Sequence, residues 1–174
     1  MRHRLATLSL LLLVTMIPAA GAAERDTAAS MQGPWDMIVF DLKSWGRPVW
    51  SWIMTPEGGS WTLMKEGASF GEYSLEVHKI EGAEGGRFRE LSAIVARLPI
   101  PAPETEGCHD FVTDLPYGSI RLSKGATTIE LSFNSGCRDA DYVKYLDVLQ
   151  EADQLVAGWG KSGEILRTEQ VPPR

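Results

Sequence analysis

Histidine, cysteine and asparagine are nearly absent from this chain, and each shortage closes off a class of chemistry. Of three histidines, His3 belongs to an N-terminal leader, which leaves His78 and His109. A nucleophilic triad needs a nucleophile, a base and an orienting acid that meet in space. There is no Gly-x-Ser-x-Gly elbow to supply one. Cys137 and His109 could form a thiol–imidazole pair only if Cys108 were also unpaired. Cys108, His109, Cys137 and His78 lack the Cys-x-x-Cys or His-x-x-x-His spacing of a metal site, so neither metal nor cofactor is expected. Arg138-Asp139-Ala140-Asp141 holds two acids of a calcium loop and not the rest. No glycine-rich phosphate loop precedes a helix. The sole asparagine, Asn134, is followed by Ser135-Gly136, so there is no glycosylation sequon.

Long apolar runs are missing after residue 17, and no later stretch could span a bilayer. Positive charge is also short. Removal of Arg2 and Arg4 with the leader leaves 15 basic against 23 acidic residues, a formal charge of −8. That argues against nucleic acid and anionic membrane surfaces as partners. With so many acids, pairs such as Asp110 and Asp114, or Glu104 and Glu106, arise by chance and do not indicate a glycosidase dyad.

The leader itself is informative. Arg2, His3 and Arg4 precede an apolar run, Leu8 to Ile17, which Pro18 breaks. Ala20-Gly21-Ala22 offers small residues for cleavage near Ala22. Residues 1–22 therefore read as a signal peptide and 23–33 as a disordered leader of small polar residues. The remainder should be exported, to a periplasm or outside the cell. In such an oxidising compartment Cys108 and Cys137 are expected to form a disulfide.

Residues 34–160 read as a single α+β domain. Period-two alternation predicts strands around Ile38 to Leu42, Val49 to Thr55, Ser60 to Met64, and Tyr73 to His78. In the last of these, Tyr73, Leu75 and Val77 would face the core, with Ser74, Glu76 and His78 facing out. Phe88, Leu91, Ile94, Val95 and Leu98 fall at helical spacing, so Arg87 to Arg97 is expected to be a helix. The proline run from Leu98 to Pro103 is an extended connector. A hairpin turns at Lys124-Gly125, with Ile120 and Leu122 on one strand and Ile129, Leu131 and Phe133 on the other. Tyr142, Tyr145, Leu149, Ala152, Val156 and Trp159 then mark the longest helix, beginning near Asp139 or Asp141. Residues 161–174 read as a loose tail in which Glu164 to Thr168 could add a short edge strand. The expected fold is a mostly antiparallel sheet of five to six strands with two helices, the longer one C-terminal.

Tryptophan is the residue in surplus. Trp45, Trp50, Trp52 and Trp61 lie close together in sequence. Such a cluster is either a core of large aromatics or a recognition surface, and the alternation around Trp50 and Trp52 favours core. The candidate binding residues are Trp50, Trp52 and Trp61, with His109, Asp110 and Asp114 in the loop after the first cysteine. The leading expectation is a non-enzymatic exported module that binds an exported protein or envelope component. A hydrolase or small-ligand carrier with its site at loop 108–116 is the alternative. A structural envelope protein without a discrete site is the third.

Overall fold

The computed structural model describes residues 34–69 and 71–172. The expected signal peptide and leader lie outside the described residues. The element order is β1 (Met37–Ser44), β2 (Arg47–Thr55), β3 (Gly58–Glu66), β4 (Tyr73–Glu81), α1 (Gly86–Val95), β5 (Tyr117–Lys124), β6 (Thr127–Asn134), α2 (Ala140–Lys161) and β7 (Ile165–Val171). Strands and helices are segregated, as in an α+β fold. All seven strands form one antiparallel sheet in the order β6-β5-β1-β2-β3-β4-β7.

The sheet thus has seven strands, not five to six. The seventh is β7, in the segment read as a loose tail in which Glu164 to Thr168 could add a short edge strand; that strand is present and extends to Val171. It pairs with β4 from Tyr73↔Val171 to His78↔Ile165. Six of its seven residues are exposed, so it carries no hydrophobic alternation. Its place is set by backbone pairing with an otherwise open edge.

Both helices pack on the face that presents Ile38, Phe40, Trp52, Met54, Trp61, Ile120, Leu122 and Leu131. From α1, Phe88, Leu91 and Val95 enter this core; from α2, Tyr142, Tyr145, Leu149, Ala152 and Val156 do. Directly opposed residues share a face of the sheet. Trp52 is opposite Trp61, and Trp61 is opposite His78. His78 and Ile80 therefore lie on the helix side, and Tyr73, Leu75 and Val77 on the other. This reverses the orientation expected for β4. The alternation of Tyr73, Leu75 and Val77 with polar residues pointed to the wrong face, because the covered face is set by pairing with β3, which places His78 opposite the core residue Trp61.

α2 starts just after β6 at one edge of the sheet and leads into β7 at the other edge, so it crosses the strands. Tyr142 and Tyr145 anchor its first turns. The Tyr142 hydroxyl accepts the Asn134 N–H (2.9 Å), and the Tyr145 hydroxyl donates to the Ser132 carbonyl (3.1 Å). At the far end Gly160 lies directly on Trp61. A Cβ at position 160 would stand 2.4 Å from the Trp61 Cβ, so only glycine permits this approach.

Candidate functional site

The strands share one end, where β1, β3, β6 and β7 finish and β2, β4 and β5 begin. The sequence places an unusual set of side chains there. Trp45 and Gly46 form the two-residue turn between β1 and β2, with φ of 52° and 74°. Two positive φ values in succession are the type I′ pattern, which suits the twist of a hairpin and normally takes Asn-Gly. A bulky side chain in the left-handed region is a genuine outlier. The Trp45 side chain gains little packing in return, because the residue is 75% exposed.

Around this tip the surface is partly apolar. Phe111, Tyr117 and Val143 are each more than a third exposed and lie at the same end. The Tyr117 hydroxyl accepts the Gly46 N–H (3.2 Å) and so ties the hairpin tip to β5. The Arg47 guanidinium lies over the Tyr73 ring, 4.9 Å from its centroid. Trp45, Arg47, Pro48, Tyr73 and Val171 line an open cavity of about 540 Å³. A second, of about 560 Å³, opens between the connector at 102–106 and Tyr117, Gly118 and Asn134.

The disulfide braces this end. Cys108 and Cys137 are bonded, with Cα atoms 5.9 Å apart. Phe111 pairs with Cys137 as an isolated bridge. The Asp139 carboxylate accepts the backbone N–H groups of His109 (3.0 Å) and Asp110 (3.1 Å). Those two bonds hold the Asp139 carboxyl below its usual range against the opposing cost of burial, with lesser help from the His109 ring. Asp139 thereby fastens the loop rather than capping α2 with its own side chain. Cys108, Cys137 and Asp139 form a cluster of metal-ligand types. Both sulfurs are consumed in the disulfide, so the cluster offers no thiolate.

The three loop candidates do not converge on a cleft. The His109 side chain is 93% exposed and meets only the Asp139 carboxylate (3.3 Å). Asp110 and Asp114 are exposed, and Asp114 takes a positive φ of 66°. None of the three lines the cavities described here. The tryptophan candidates separate. Trp52 (2% exposed) and Trp61 (3%) are buried in the core. Phe40 stacks between Trp52 and Phe133, at centroid distances of 5.3 and 5.4 Å. Trp50 is half-buried and packs against this core.

Two residues of interest lie outside the sequence candidates. Trp45 belongs to the tryptophan cluster, and the adjoining Gly46, which completes a two-residue turn, is the signal that separates it from its buried neighbours. Asp153 gave no signal beyond being an acid on a helix. In the structure its Oδ1 accepts the indole N–H of both Trp50 (2.9 Å) and Trp52 (3.0 Å). Burial pushes its carboxyl above the usual range, although both indole bonds and the more distant Lys161 charge pull the other way.

Compared with described protein families, curated proteins and solved structures, the chain matches none of them. Among the described residues no helix is long and apolar enough to cross a membrane. The disulfide fits an exported protein or one of an oxidising compartment.

Proposed function

We propose that this protein is an exported, non-enzymatic binding module, acting in a periplasm or outside the cell, that holds a protein partner at the disulfide-braced end of its sheet. One observation carries the reading. Trp45 is presented to solvent from a turn whose backbone disfavours it. Strain of that kind persists where the surroundings or a function select it, and tryptophan is the residue most enriched among binding hot spots. Tyr117, bonded to the Gly46 N–H, extends the apolar contact, and Lys43, opposite Tyr117 in the sheet, puts a charge beside it, as at the rim of an interface. The disulfide and the Asp139 bonds hold the neighbouring loop in place before a partner arrives, which lowers the entropy cost of binding.

The test is capture from an extract of the protein's own compartment, with the oxidised chain lacking residues 1–22 as bait and Trp45→Asn as control. The expected result is a protein held by the wild type and lost by the variant, with unchanged circular dichroism. A partner held equally by both would overturn the role of this surface. Absence of any captured protein would count against the binding role itself.

A further inference from the structure

The flank of α2 turned away from α1 forms the wall of a groove of about 400 Å³, floored by Phe40, Leu42 and Phe133 and closed by Leu146 and Asp153. That volume is in the range of small-molecule sites. Asp153 is its most unusual member. Two indole donors meet one carboxylate oxygen, Oδ1. Among the described residues, Oδ2 has neither a hydrogen bond nor an ion pair. An asparagine would satisfy both indoles equally well through its carbonyl oxygen, without the cost of burying a charge. The charge is what aspartate adds, and it lacks a counter-ion inside the groove. The lining holds a second carboxylate, Asp147, and no lysine, arginine or histidine. The remaining lining is mostly apolar, with Ser135 and Gln150 at the edge and Val143 partly exposed at the mouth.

From this charge and shape complementarity we infer that the groove binds a small amphiphilic cation, an ammonium or guanidinium group on a short apolar body, with Asp153 as its counter-ion. The apolar body lies over Leu42, Leu146 and the edge of Phe133. The cation meets the open carboxylate oxygen, and the two indoles hold that carboxylate in place. A buried charge paired in this way recovers the desolvation cost that an unpaired one bears. Asp147 adds a second negative charge on the same helix flank, six residues before Asp153, and favours the same sign of ligand. Val143, at the mouth, is shared with the apolar end of the sheet, but the lining does not include Trp45 and the site does not depend on it.

The experiment is a titration of the oxidised exported chain with 4-phenylbutylamine and its neutral counterpart 4-phenylbutanol. It is followed by tryptophan fluorescence and by the indole N–H resonances of Trp50 and Trp52. The amine should bind about ten-fold or more tightly than the alcohol and shift both resonances. Asp153→Asn should reduce amine binding to the level of the alcohol, and Trp45→Asn should leave it unchanged. Equal binding of amine and alcohol to the wild type would overturn the inference without recourse to any variant. So would the absence of saturable amine binding, or an amine preference that survives in Asp153→Asn. Absence of a captured partner, or a partner held equally by Trp45→Asn, with amine binding intact would refute the protein-binding reading alone.

Discussion

Replacing Trp45 with asparagine should stabilise the protein. In the left-handed region a residue with a Cβ is disfavoured by about 1–2 kcal/mol, and asparagine by less because its short amide bonds locally. The Trp45 side chain is three-quarters exposed, so its removal sacrifices little burial. The net gain should be about 1 kcal/mol, or about 3 °C in Tm for a chain of this size. Thermal and urea denaturation of the oxidised protein would measure it. Gly46→Ala is the matched control. Gly46 has φ of 74° and no atom within 4 Å of where its Cβ would stand. A methyl group there meets only the backbone preference, so stability should fall by about 1 kcal/mol. If Trp45→Asn instead lost 1 kcal/mol or more, the indole would be a packing element. The argument that it is held out for a partner would then collapse.

Other perturbations follow from the same geometry. Cys108 and Cys137 are 29 positions apart, and the chain-entropy relation gives about 3–4 kcal/mol for such a closure; the paired serine variant should lose that amount in urea unfolding, and an unchanged midpoint would refute it. Asp153→Ala strands two indole donors and should cost about 1–3 kcal/mol for each that finds no water, whereas Asp153→Asn keeps both bonds. Because burial raises the Asp153 carboxyl, the folded state binds this proton more tightly than the unfolded chain does. The stability this group contributes is full below its unfolded pKa, about 3.9, and is lost as pH rises through the raised folded value. The stability of Asp153→Asn relative to wild type should therefore grow between pH 3 and pH 7, and a flat difference would contradict the assignment. Gly160→Ala forces a methyl group into Trp61 and should cost about 1–3 kcal/mol, with a blue or red shift in tryptophan emission as Trp61 moves.

Much of the local structure was legible because it is written in short-range periodicity. The hairpin from Tyr117 to Asn134 and the helix from Ala140 to Lys161 follow from alternation at two residues and recurrence at three to four. Capping chemistry was less legible. Asp139 stands at the N-cap of α2, as a helix start predicts, yet its carboxylate serves His109 and Asp110 across 30 and 29 positions. Only the folded loop could bring those donors to it. The candidate site was legible in part, since the cysteines and Trp45, a member of the tryptophan cluster, do border one end of the sheet. Which tryptophan is exposed there was not.

By itself, then, the sequence determined the elements bounded by local pattern, the pairing of the two cysteines once an oxidising compartment was inferred, and the poverty of catalytic groups. The tertiary structure alone decided the strand order, the face of β4 that the helices cover, the choice of β4 as the partner of β7, and the convergence of Trp50 and Trp52 on Asp153. The physical reason is common to all four. Each depends on contacts between residues distant in the chain, which the alternation within a single strand does not record.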